Sequence, residues 1–356
     1  MESVTASALV EPDDVVWLRS GEALPAAVRR EATALARRIG LASRRASEVA
    51  LAVTEIATNL VRHADDGSIA LRTTRFAGRA SIECLSLDSG PGIPDLTDAF
   101  RDGHSSGSTL GIGLGAIARL ADTVDVHSVP GKGTVLLARF SSRATASAEG
   151  AAPPEPRPPL AGLTRAISGE TVCGDTWAGR PHSAEDGRPG SVTVMMCDGL
   201  GHGPLAARAG EAARAVFRQS AARRPADLLA QMHTGLRGTR GAAMAVAVVD
   251  LDAELVELCG VGNVSAFVVD AQQRSTLLSV PGIVGAQLPT LRTFTAPLPR
   301  GSALVMHSDG LHQRWSLSDL PGLLTRDPTV IAAQILNHAG VRRDDAGIVV
   351  VPGRPR

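Results

Sequence analysis

"SVTVMMCDGLGHG", residues 191–203, runs an apolar segment fit for the middle of a sheet straight into an aspartate and three spaced glycines, Gly199, Gly201 and Gly203. A short apolar run closed by turn residues predicts a buried strand, and Asp-Gly by itself is ordinary turn chemistry. The pattern nearly repeats as "ALVMHSDGL", residues 303–311, which ends on Asp309-Gly310. Two further sites share the arrangement: Asp175 in "VCGDTW" and Asp344-Asp345 ahead of the terminal run "AGIVVV". Four acids at strand ends, flanked by small residues, can reach a common point.

Carboxylates that converge repel one another, and oxygen-preferring divalent ions such as magnesium or manganese neutralise them. Two such ions bridged by one carboxylate lower the pKa of a shared water and aim it at a phosphoryl group. The cysteines, at 84, 173, 197 and 259, form no C-x-x-C and no close pair. Neither a zinc knuckle nor a disulfide framework is indicated, and the basic context of a thiol nucleophile is missing.

At 356 residues the chain exceeds a single core and predicts two domains. Its 36 acidic and 36 basic residues cancel, so no global field draws it to nucleic acid or to an anionic membrane. No apolar run approaches a membrane span, the start "MESVTASALVEPDD" is acidic, and the cysteine usage suits a reducing compartment; a cytoplasmic location is expected. A Ser-, Ala- and Pro-rich stretch, "SSRATASAEGAAPPEPRPP", reads as a linker. The expected division is 1–140, a linker over 141–160, and 161–356.

In the first part, a strand is expected near "DVVWL", helices over 25–39 and 47–63, and strands at 68–75, 80–87, 124–128 and 133–140. In the second, strands are expected at 191–197, 242–250, 254–259, 264–269, 302–307 and 346–351, with helices near 203–220, 225–237 and 328–338. Helices and strands so distributed argue for an α+β protein. Gly262-Asn263 reads as the turn of a hairpin.

Within "SEVALAVTEIATNLVRHA", residues 47–64, Val49, Val53, Ile56 and Leu60 recur at helical spacing, with Ser47 as the expected N-cap. Glu55, Asn59 and His63 follow along another face, where a carboxylate can accept a proton and an amide oxygen suits magnesium. "LSLDSGPGIPD", residues 85–95, ends a strand on Asp88 and turns through Gly90 and Gly92. "DGHSSGSTLGIGLGAIARLAD", residues 102–122, places Gly111, Gly113 and Gly115 at the start of a helix, where backbone N–H groups approach phosphate oxygens.

These three elements resemble the N box and the two glycine boxes of the GHKL ATPase fold, an α/β sandwich. With "SVPGKGT", residues 128–134, the stretch over roughly 12–140 is most similar to RsbT-type serine kinases. The resemblance implies bound ATP with magnesium: Asn59 on the metal, Asp88 on adenine, and Glu55 as base toward an acceptor hydroxyl. It also implies a lid over 98–110 and cofactor contacts from Gly90, Gly92, Gly111, Gly113, Gly115, Lys132, Gly133 and Thr134. Lys132 is the only lysine in the chain.

Residues 162–352 resemble the SpoIIE and RsbX branch of the metal-dependent type 2C (PPM) phosphatases, which have an αββα sandwich. That resemblance implies two manganese or magnesium ions, with Asp198 bridging both and the carbonyl of Gly199 joining one. Asp309 and Asp344 would complete the other, and Asp175 would hold water around the first. The sequence departs from the commoner "GGD-x-Y-D" start, carrying Cys173 and Thr176-Trp177 and lacking the second acid. His202 reads as a helix-start residue, with a general acid as the alternative.

Together the resemblances imply a partner-switching regulator that dephosphorylates an STAS-type protein, with a kinase-like domain that phosphorylates a similar protein or gates the phosphatase. The rival reading is a non-catalytic, nucleotide-dependent module that sequesters a sigma-factor regulator.

Overall fold

A computed structural model describes residues 9–11, 15–100, 113–142, 158–183 and 189–356. The expected glycine-loop residue Gly111, lid residues 101–110 and most of the expected linker lie outside the described residues. The chain forms two compact units, one within 13–157 and one within 158–356 that also takes in the chain's start. No helix among the described residues is long and apolar enough to cross a membrane.

The first unit runs β1 (Val16–Arg19), α1 (Leu24–Arg38), α2 (Ser43–His63), β2 (Ser68–Phe76), β3 (Arg79–Leu87), α3 (Leu96–Ala99), α4 (Leu114–Leu120), β4 (Thr123–Val129) and β5 (Gly133–Ser141). Its antiparallel sheet has the order β1-β2-β3-β5-β4. The predicted stripe of α2 is buried as expected: Val49, Val53, Ile56 and Leu60 join Ile69, Leu71, Ile82, Cys84 and Phe140 in one core. Each such burial contributes about 1.5–3 kcal/mol. Ser47 is not the N-cap. The helix begins four residues earlier, and the Ser47 hydroxyl donates back to the Ser43 carbonyl at 3.0 Å.

A buried ionic triad crosses three strands of this sheet. Arg72 on β2 and Arg139 on β5 both donate to Glu83 on β3, at 2.7 and 2.6 Å. A single carboxylate thus serves two buried guanidinium groups, one at each oxygen.

The second unit runs β6 (Ala161–Arg165), β7 (Asp175–Ser183), β8 (Pro189–Gly199), α5 (Pro204–Gln219), α6 (Pro225–Gly235), β9 (Ala242–Asp250), β10 (Leu255–Val261), β11 (Ser265–Val269), β12 (Arg274–Leu277), β13 (Phe294–Pro297), β14 (Ala303–His307), α7 (Pro328–Ala339) and β15 (Ala346–Pro352). Two antiparallel sheets result, ordered β13-β10-β9-β8-β7 and β12-β11-β14-β15-β6. Helices α5 and α6 lie on the first sheet and α7 on the second, while β15 meets β7 and β8 across the interior. This is the expected αββα sandwich. Trp177 fills the space between the sheets: a Cβ added to Gly162 on β6 would lie 2.6 Å from its ring.

Strands β10 and β11 are not a hairpin. They belong to different sheets, so Gly262-Asn263 is a crossing point, with Gly262 at φ +94°. Strands β6, β7, β12 and β13 add to the expected set. At the chain's start, Val10 exchanges two 2.8 Å backbone hydrogen bonds with Gly179 of edge strand β7, and Glu11 takes a bidentate ion pair from Arg218. Leu9–Glu11 therefore pack with the second unit.

Candidate functional sites: an acid cluster and a nucleotide frame

Sheet pairing sets the acid cluster. Asp175, the first residue of β7, stands directly opposite Asp198 near the end of β8. From the other sheet, β14 stops at His307, which carries Ser308 and Asp309 to the same end, and β15 starts just after Asp344-Asp345. Hydrogen bonds from Ser308 N to the Gly347 carbonyl (3.0 Å) and from Gly347 N to the Ser308 hydroxyl (2.9 Å) lock these two strand ends together. At Gly310 only glycine fits, because a Cβ there would lie 1.8 Å from the Asp345 carbonyl oxygen. The second Asp-Gly of the sequence is thus a point of close backbone approach as well as a turn.

The carboxyls of Asp198 and Asp309 lie side by side and act on one another. Burial and then repulsion from Asp309 and Asp344 push Asp198 up to about 7. Asp309 is raised by burial and by Asp344, and Asp175 is raised by burial and by Asp198. Asp344, half-buried, acts on this pair as a neighbouring charge. No three acidic, histidine or cysteine side chains among the described residues stand together as a finished metal cage. The structure therefore brings Asp198 and Asp309 into contact and sets Asp175 and Asp344 beside them without closing a shell.

The donors present nevertheless fit a hard divalent ion. All are oxygens, mutual repulsion adds to burial in pushing the Asp198 pKa up, and Oδ2 of Asp175 is buried without a hydrogen-bond partner. A cation would relieve that repulsion, and binding it would favour the ionised carboxyls and so release protons. The carbonyl of Gly199 and the carboxylates of Asp175, Asp198, Asp309 and Asp344 are the groups that could hold such ions. Burial raises all four thiols, Cys84 to about 12, so none is a ready thiolate.

Three supports went unread in the sequence. Asp345 is buried and spends both oxygens on backbone N–H groups, Ile167 and Gly174, each at 2.7 Å, which fixes the loop leading to Asp175. Asn263, delivered by the crossing between sheets, donates from Nδ2 to Oδ2 of Asp309 at 2.7 Å. His307 is fully buried, and its pKa is lowered to about 4 by that burial. Trp315 donates to its Nε2 at 3.3 Å, so Nδ1 carries the hydrogen toward the Ser308 carbonyl, 2.7 Å away. His202 precedes the Gly203 N-cap of α5 and lies 3.4 Å from Glu170.

In the first unit, Glu55 and Asn59 occupy successive turns of α2, both half-buried. Burial raises Glu55 against the opposing effect of Arg62. Asp88 follows the last residue of β3 and is itself buried. Its Oδ1 accepts from Gly90 N (2.8 Å) and Thr134 N (3.2 Å), and desolvation outweighs these bonds to raise its pKa. Gly133, at φ +88°, must be glycine: a Cβ would lie 1.9 Å from the Asp88 carbonyl oxygen. The Thr134 hydroxyl pairs with Ser128 at 2.9 Å, so both Gly133 and Thr134 build the Asp88 turn. Lys132 sits in the β4–β5 turn and Gly92 abuts the same turn at φ +72°. Gly113 is the N-cap of α4 and Gly115 is buried within it.

Residues 20–140 match the family described as "Histidine kinase-like ATPase domain", and residues 188–351 match "Stage II sporulation protein E (SpoIIE)". The chain is 31% identical over 112 residues to the serine/threonine-protein kinase RsbT of Bacillus subtilis, covering 32% of this chain and 84% of that protein. It is 23% identical over 181 residues to the phosphoserine phosphatase RsbX of the same species, covering 50% and 85%. A solved structure of RsbX in complex with magnesium is 20% identical, with a TM-score of 0.44, over 54% of this chain and 92% of that one. Through its first domain the chain therefore belongs to the histidine kinase-like ATPase family in its RsbT-like form, and its second domain is similar to SpoIIE and to RsbX.

Proposed function

We propose that the second domain removes phosphate from phosphoserine or phosphothreonine on an STAS-type protein, using two magnesium or manganese ions. In this reading the first domain binds ATP with magnesium and phosphorylates a similar protein or gates the phosphatase. The observation that carries the reading is the meeting of Asp198 and Asp309, from two different sheets, with Asp175 opposite and Asp344 adding charge.

When bound, the ions would acidify a shared water and draw on the phosphoryl oxygens. The chain's own residues do the rest. Asp345 holds the Asp175 loop by two backbone bonds, and His307 and Asn263 hold the Asp309 turn. In the first domain Asp88 keeps one oxygen tied to the backbone, which orients the carboxyl toward a base amino group. Glu55, with its raised pKa, would take the proton of an acceptor hydroxyl while Asn59 holds magnesium one turn away. Joining the two domains keeps both activities near the same partner.

Manganese-dependent hydrolysis of a serine-phosphorylated STAS domain tests the phosphatase. Asp309→Ala is expected to lower the rate at least about 100-fold, and equal rates would remove the assignment. Transfer of label from ATP to the unphosphorylated STAS domain, abolished by Glu55→Ala, tests the kinase; ATP-dependent change in hydrolysis without transfer would mark the domain as a gate.

A further inference from the structure

We infer that the loops bearing the acid cluster form a docking rim for a folded phosphoprotein, with Val172, Leu205 and Val341 as its apolar contacts. The inference rests on the phosphatase reading and names the surface by which that site would choose its substrate.

Eight large hydrophobic side chains are exposed among the described residues. Four of them, Val172, Leu200, Leu205 and Val341, crowd the segments that carry the acids. Val172 lies three residues before Asp175, Leu200 and Leu205 follow Asp198, and Val341 lies three residues before Asp344. Scattered exposed leucines need no explanation, but concentration on the segments of one acid cluster marks a contact surface.

The segments adjoin one another. Gly199 N donates to the Gly174 carbonyl at 3.3 Å, and His202 meets Glu170 at 3.4 Å. Ser168 N reaches the Arg342 carbonyl at 3.4 Å, and Val341 N donates to the Gly310 carbonyl at 2.8 Å. The apolar groups thus stand on segments that hydrogen bonds tie to one another next to the acids. Positive charge joins them: the exposed Arg240 brings Nη1 to 2.9 Å from where a Cβ on Gly201 would stand, and Arg343, also exposed, precedes Asp344.

This combination selects its occupant. Guanidinium groups at the rim complement a phosphate ester, while exposed apolar side chains are removed from water only when a broad surface lands on them. A phosphoserine standing on a folded protein surface satisfies both.

The test compares hydrolysis of a serine-phosphorylated STAS domain with that of p-nitrophenyl phosphate by the full chain and by a Val172→Ser/Leu205→Ser/Val341→Ser variant. The expected result is a KM for the phosphodomain raised about 10-fold, with p-nitrophenyl phosphate turnover within about twofold of the parent. The unchanged small-ester rate also reports that the variant is folded. Equal losses on both substrates would make these residues part of the site's frame, and an unchanged phosphodomain KM would leave the rim without a role; either overturns the inference. Sedimentation supplies a further arm: a parent that self-associates through these three residues would assign the rim to a second copy of the chain and overturn it likewise. If the parent hydrolyses neither substrate, the phosphatase reading itself falls.

Discussion

The two candidate sites both centre on buried aspartates, yet their electrostatics differ in kind. Asp88 is raised mainly by loss of water, and one of its oxygens is satisfied by two backbone N–H groups. Asp198 is raised by loss of water and then by other carboxylates, Asp309 and Asp344 first among them. A backbone-held carboxyl suits a neutral donor such as a base amino group. A crowd of carboxyls asks for a cation. The same residue type therefore serves two chemistries because one sits at the end of the middle strand of a single sheet and the other at the junction of two sheets.

Breaking one site should leave the other intact. Asp88→Ala is expected to weaken ATP binding by about 100-fold or more, measured by calorimetry, with manganese affinity of the second domain unchanged. Loss of both would mean the sites are not separate. A stability counterpart lies in the triad: Glu83→Ala removes the carboxylate that two buried guanidinium groups share and is expected to cost the first domain about 3–5 kcal/mol by denaturant unfolding, leaving the second domain's transition in place. Asn263→Ala removes one hydrogen bond from Asp309 and should weaken manganese binding about 10-fold, whereas ATP binding should not move.

The smallest effect is one of pH. Asp198 is raised to about 7 when folded, from an ordinary value of 3.8. A carboxyl raised on folding stabilises the protein at low pH, and that contribution fades as pH rises from about 4 through 7. The metal-free second domain should thus lose stability over this range while manganese affinity climbs and levels off above about 7. Thermal melts and titrations across pH 5–8 check both signs; affinity independent of pH would contradict the raised Asp198 carboxyl.

The apolar runs β8, β14 and β15 were legible because buried central strands announce themselves by composition. Strand β7 was not, since "DTWAGRPHS" carries Gly179, Arg180 and Pro181, residues an edge strand tolerates and a pattern search rejects. The four aspartates were legible as strand-end acids. Their supports were not. Asp345 looks like a duplicate of Asp344, and the Gly262-Asn263 turn signal cannot say that the strands on either side enter different sheets. Only that crossing brings Asn263 to Asp309. Ser47 misled for a local reason: serine inside a helix can bond back to a carbonyl four residues earlier as well as cap a start.

The central claim is that the Asp198–Asp309 junction is a divalent-cation site. Manganese titration of the full chain at pH 8, followed by calorimetry for the parent and for Asp198→Asn, tests it most directly. The account predicts proton-releasing binding in the parent and its loss in the variant, with ATP binding retained by both; equal manganese affinity in the two would contradict it.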